Sequence, residues 1–124
     1  MRHFYHPDRG YWITTTDDIP QWVQDGWPIG TVEVQERPDQ YHDYLNNMWV
    51  LNKDRQYEGL SQEIRDERDS ILIRVVDRII SNPLRWNDMT TEKQNEWAAY
   101  RTALLNITDQ EEFPYNVVWP TQPE

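Results

Sequence analysis

Two hydrophobic periods divide the chain. Thr31-Val32-Glu33-Val34 alternates polar and apolar at every second position, the pattern of a half-buried strand, and the pattern stops near Pro38. Phe4-Tyr5 and Tyr11-Trp12-Ile13 flank Pro7-Asp8-Arg9-Gly10. Pro fixes φ, Asp bonds its own backbone and Gly tolerates positive φ, so a β-hairpin is expected there. Asp25-Gly26 and Ile29-Gly30 mark two further turns around Trp27-Pro28. Tyr41 to Leu45 and Met48 to Leu51 are separated by Asn46-Asn47, residues that accept the left-handed conformation of a tight hairpin. These segments predict a small antiparallel β meander.

From Leu60 the spacing lengthens to three and four. Leu60, Ile64, Ile71, Leu72, Val75, Val76, Ile79 and Ile80 lie on one stripe, with Arg68 where another apolar residue would fall. That pattern predicts an amphipathic helix. Pro83 ends it, because proline disfavours helical geometry at Asn82 and donates no ladder bond. Leu84 to Met89 reads as a connector holding Trp86. Thr90 or Thr91 can cap a second helix, and Thr91 with Gln94 has capping-box spacing. Trp97, Tyr100, Leu104 and Ile107 form the second stripe, with Ala98, Ala99 and Ala103 beside it to allow close approach. An antiparallel helix pair follows. Phe113 to Pro120, proline-bounded and β-branched between, favours extended backbone. The expectation is an α+β chain: a small aromatic-rich β module over 1–57, then a helix pair with an extended C-terminal tail over 58–124.

Composition changes this picture at one point. Leu, Ile, Val and Phe supply only 26 of 124 residues, near the level at which highly charged chains stay disordered. Seven Trp and seven Tyr compensate, since each large aromatic buries roughly 150 to 250 Å². The same residue types favour partner surfaces. The net charge is −10, shared equally between the two parts of the chain. Such a chain repels phosphate, so nucleic acid is an unexpected partner. No stretch approaches the roughly 20 apolar residues of a spanning helix, so no membrane partner is expected. The N-terminus lacks the apolar centre of a signal peptide, so an intracellular chain is expected.

Catalytic chemistry finds little purchase. Cysteine is absent, so thiol nucleophiles and thiolate zinc sites are excluded, and four glycines supply no phosphate-cradling loop or nucleophile elbow. His3 and His6 would share a metal only on a helix, and Pro7 argues for strand and turn. His42-Asp43 is a weaker candidate. Asp17-Asp18 and Glu111-Glu112 are adjacent carboxylates that point apart in extended backbone. No enzyme activity, metal or cofactor is expected. Arg65-Asp66-Glu67-Arg68-Asp69 reads as a solvated face with local ion pairs. The aromatic tail is the candidate partner surface: Phe113, Tyr115, Val117, Val118 and Trp119, together with the apolar helix end Ile79 and Ile80. It either folds over its own helix pair or lies along a partner's edge or groove.

The stretch from Asp88 to Gln110, with Trp97-Ala98-Ala99-Tyr100-Arg101 and Ile107-Thr108, then Phe113-Pro114 and Val117-Val118-Trp119-Pro120, resembles a known family. It is similar to the C-terminal domain of tailed-phage tail assembly chaperones, the tail fibre assembly proteins. The resemblance extends back through Ile64-Arg65-Asp66-Glu67-Arg68-Asp69, so it covers about Gln62 to Pro120. Phe4-Tyr5, Gly10-Tyr11, Ile19-Pro20 and Val32 to Pro38 follow the outline of the family's N-terminal β module. Glu111-Glu112 stands where members commonly carry a glycine. The resemblance implies a non-enzymatic protein of the host cytoplasm that binds a phage tail fibre or other tail protein and helps it fold or assemble, then either leaves or stays in the virion tail. Two rivals belong to other classes: a permanent structural adaptor of the tail or baseplate, and an acidic mimic of DNA. The Arg residues interspersed among the carboxylates count against the mimic.

Overall fold

Strand β1 (His3–His6) and strand β2 (Gly10–Ile13) form the hairpin expected around Pro7 to Gly10. They are antiparallel, with Phe4 opposite Trp12 and His6 opposite Gly10, whose φ of 89° suits a residue without Cβ. Strand β3 (Val32–Glu33) pairs with the other edge of β1, placing Phe4 opposite Glu33 and Tyr5 opposite Val32. The order β2-β1-β3 therefore differs from that of a sequential meander. Strands β4 (His42–Leu45) and β5 (Met48–Leu51) make a separate two-stranded sheet. Asn46 and Asn47 turn it at φ 51° and 65°, the backbone of a type I′ turn. A one-turn helix, α1 (Gln21–Gln24), lies between β2 and β3, where the sequence signalled only turns.

The alternation along β1 gives this small unit two aromatic layers. Phe4 is buried on one face, its ring 4.7 Å from Trp27 and 5.9 Å from Trp12. On the other face Tyr5 meets Tyr44 at 5.1 Å, and Trp49 stands edge-on to Tyr11 at 5.3 Å. Rings in tilted and edge-to-face contact do here what aliphatic side chains do in larger domains. Arg9 adds a guanidinium 3.9 Å from the Trp12 ring centre.

The structure, a computed structural model, describes residues 1–124, and the chain separates into the units Met1–Asn52 and Lys53–Glu124. The second unit starts earlier than the division read at 57/58, because α2 (Lys53–Ile71) begins immediately after β5. Its first turns lack apolar residues at regular spacing and so carry no periodic signal. The helix continues through a π segment, Leu72–Val76, into α3 (Asp77–Ile80). The connector from Leu84 is itself helical, as α4 (Pro83–Asp88), capped by the Asn82 side chain, which accepts from the Arg85 N–H at 3.2 Å.

Helix α5 (Thr91–Leu105) starts at Thr90, whose hydroxyl oxygen accepts from the Lys93 N–H at 3.1 Å. Gln94 does not complete the capping box: its amide reaches back to the Trp86 carbonyl at 2.7 Å and ties α4 to α5. The core is Val76 and Ile79 from the first helical run with Trp97, Tyr100 and Leu104 from α5. Ile107 follows in a single 3₁₀ turn (Ile107–Asp109) and is completely buried. Tyr57 near the start of α2 meets Tyr115 beyond the end of α5, at 6.3 Å, so the chain runs back along its first helix, as an antiparallel pair.

Candidate partner-binding surface

The tail after α5 is ordered by specific bonds. Gln110 presents its side-chain amide to one residue of the tail, Nε2 donating to the Val118 carbonyl at 2.7 Å and Oε1 accepting from the Val118 N–H at 2.8 Å. That pair reproduces with a side chain what a neighbouring strand does with its backbone. Between them the chain doubles back through the cis Phe113-Pro114 bond, with Pro114 buried. Tyr115 and Asn116 both donate their N–H to the Glu112 carbonyl, at 2.8 and 3.1 Å, and the Asn116 amide donates to the Glu112 carboxylate at 2.8 Å. Glu112 therefore builds this turn itself, with both its carbonyl and its carboxylate.

The main aromatic of the tail lies against the chain's own helices. Trp119 packs against the core made by Val76, Ile79, Trp97, Tyr100 and Leu104, and so does Ile80. Ile79 belongs to that core outright. Phe113 and Val117 are half-buried. Of the seven residues taken as candidates, only Tyr115 and Val118 are exposed, at 59% and 75%. The tail thus turns Trp119 inward and Val118 outward, the alternation of extended backbone. Beyond Pro120 the chain borders a groove of about 450 Å³ against Glu96, Ala99 and Ala103 of α5. These alanines were expected to admit the other helix; they are exposed and face the tail instead.

The remaining titratable candidates are occupied separately. His3 and His6 point to opposite faces of β1: the His3 Nδ1 contacts the Tyr11 hydroxyl at 2.5 Å, while the His6 Nδ1 accepts from the Asp8 N–H at 3.1 Å and its Nε2 lies 3.0 Å from the Ile29 carbonyl. His42 pairs with Asp39 at 2.8 Å, a partner three residues away rather than its neighbour Asp43. That hydrogen bond, followed by one from the Tyr41 N–H, holds the Asp39 carboxyl below the ordinary range. Asp17 is likewise lowered by the N-terminal amine at 2.7 Å. No group of three or more His, Asp or Glu side chains is placed to hold a metal ion, and no helix is long and apolar enough to cross a membrane.

A second concave surface lies in the first unit, where the sequence singled out nothing. Its walls are Glu33 to Glu36 on one side and Tyr44, Met48 and Trp49 on the other, enclosing about 480 Å³. A second hollow of about 410 Å³, reaching Gly30 and Val32, shares Tyr44 and Asn47 with it. The sequence contained the alternation of Thr31 to Val34, but not that β4 and β5 would stand apart from this strand.

Comparison with known proteins bears on the second unit. No curated protein and no solved structure matches the chain. Residues 61–124, just over half its length, match the family described as phage tail assembly chaperone protein. The match takes in most of α2, the α4 connector, α5 and the tail folded on them. By that match, the chain belongs to the phage tail assembly chaperone family.

Proposed function

We propose that this chain is a non-enzymatic chaperone that binds a tail fibre or other tail polypeptide of a tailed phage in the host cytoplasm and holds it for folding or assembly. The observation that carries this reading is the family match over the helix pair and its folded-back tail. Trp97, Tyr100 and Trp119 serve the internal core, so contact with the partner falls to what the second unit leaves outside: Tyr115 and Val118, with Leu84, Ile73 and Leu105 also exposed. Neither cofactor nor metal has a part in it.

Co-expression with the fibre protein of the same phage tests the reading. The chain raises the yield of soluble fibre trimer, and the double substitution Tyr115→Ser with Val118→Asp lowers that yield while leaving the chain folded. An adaptor that stays in the virion tail would instead appear in purified particles at fixed stoichiometry and leave fibre solubility unchanged. Failure to bind any fibre or tail protein removes the chaperone reading.

A further inference from the structure

Strand β3 has a free edge. Val34 donates to the His3 carbonyl at 2.9 Å, so His3 with Val34, and two positions along, Tyr5 with Val32, are the pairs that exchange main-chain bonds. Glu33 stands opposite Phe4 between them and turns its N–H and C=O away from β1. It faces no other strand, because β4 and β5 form a sheet of their own. They are nevertheless fixed close by: the Trp49 indole N–H donates to the Gln35 carbonyl at 2.8 Å, just past the free position.

The two hollows flank this edge from Gly30 to Glu36 and meet at Tyr44 and Asn47. The result is a trough with a strand edge on one wall and aromatic rings on the other. Val32 is 43% and Met48 59% exposed beside it. An unpaired edge invites pairing by another chain, and edge addition with flanking side-chain pockets is a recurrent way to hold an extended peptide. The charge specifies the guest. Residues 1–52 carry eight Asp and Glu against three Arg, and Glu33 and Glu36 both line the trough. Glu33 is shared with Arg2 at 2.7 Å, and Glu36 adds a second carboxylate.

We propose that this trough takes an extended segment of the partner polypeptide as an added strand on β3, a segment that alternates apolar residues with Lys or Arg. The basic side chain lies opposite Glu33 and meets its carboxylate on the Phe4 face, and the apolar residues on either side of it turn to the other face, where they cover Val32 and Met48 beside Tyr44 and Trp49. The inference rests on the chaperone reading for the identity of the partner and adds where, and by what chemistry, that partner is held. It also gives the first unit, which lies outside the family match, a role in choosing the partner.

The test uses the full chain, isotopically labelled, with two capped peptides: Thr-Val-Lys-Val-Lys-Val and the same peptide with Glu for Lys. Backbone amide shifts at Glu33 to Glu36 and at Trp49 should move with the Lys peptide and bind it at least about tenfold more tightly than the Glu peptide. Glu33→Pro removes the outward N–H without breaking a bond to β1 and should weaken binding by about tenfold or more. Glu33→Ala keeps that N–H and controls for the lost Arg2 contact; it should cost less. The same two variants are then co-expressed with the tail proteins of the phage. No shift at Glu33 to Glu36 with about 1 mM Lys peptide, or equal binding by Glu33→Pro and Glu33→Ala, overturns the proposal. Self-association that Glu33→Pro abolishes overturns it in favour of a second copy on the edge. If tail-protein binding survives Glu33→Pro unchanged, this site is wrong and the chaperone reading stands; if no tail protein binds the unaltered chain, that reading falls by itself.

Discussion

At the level of single residues, large aromatics carry the energetics, and most of them announced themselves. Trp97, Tyr100 and Leu104 were legible as a stripe because each recurs on one side of a helix, and all three are core. Truncating Trp97 to Ala removes the largest buried ring of the second unit and should cost about 3 to 5 kcal/mol, seen as a lower urea midpoint of the helical signal. Tyr100 gives a pH-dependent counterpart. Burial opposes ionisation of its phenol and raises its pKa above the ordinary value. Its contribution is present below the unfolded value of about 10 and is lost as pH rises through the higher folded value. The urea midpoint of the chain should therefore fall between pH 8 and pH 11, and Tyr100→Phe should reduce that fall. Asp39 has the opposite sign: its lowered carboxyl pKa supports the fold above about pH 4 and ceases to do so in acid, so Asp39→Asn should flatten the acid limb of the stability curve. That Asp39 would cap the turn before β4 was not readable, because its partners Tyr41 and His42 are set by local backbone geometry rather than by any repeat.

Elements were readable where their period was strong and obscure where a neighbour decided them. Both hairpins and the second helix follow from turn chemistry and spacing. The order β2-β1-β3 does not, since which edge of β1 receives Val32 and Glu33 depends on where the intervening α1 segment delivers the chain. The helix start at Lys53 was hidden because Lys53 to Glu58 have helix-compatible residues without an apolar stripe. For the candidate surface, extended backbone was expected over 113–120 and is found only over 117–120, because Tyr115 and Asn116 close a turn on the Glu112 carbonyl; which way the aromatics point was not legible. Gln110 settles that, and nothing about a single glutamine before an acidic pair marks it as the holder of the tail. Gln110→Ala deletes both bonds to Val118, each contributing on the order of 1 kcal/mol. The Val118 amide should then exchange with solvent about tenfold faster while Trp97 stays protected, as hydrogen-exchange mass spectrometry or NMR would record. Gln110→Glu keeps the acceptor and should fall between.

Across the whole molecule, the sequence carried the family through the ordered run of residues from Asp88 to Pro120, with Ile64 to Asp69 before it, and that is the half in which family and packing coincide. The concave surface of the first unit was illegible because it lies between two sheets whose separation no local pattern encodes. The π segment at Leu72–Val76 also bears on how this gene tolerates change. In such a segment one more residue is fitted into a helical turn than an α-helix would hold. Each residue of an α-helix otherwise advances the face by about 100°, so losing one codon almost anywhere in Lys53–Ile71 would rotate everything before it relative to Val76 and Ile79. Removing Ile73, which is 66% exposed, should instead be absorbed: the turn relaxes to α geometry, and Ile71 and Val76 keep the same side. An in-frame deletion of Ile73 should therefore keep its helical circular dichroism and most of its urea midpoint, whereas deletion of Arg65 should forfeit both.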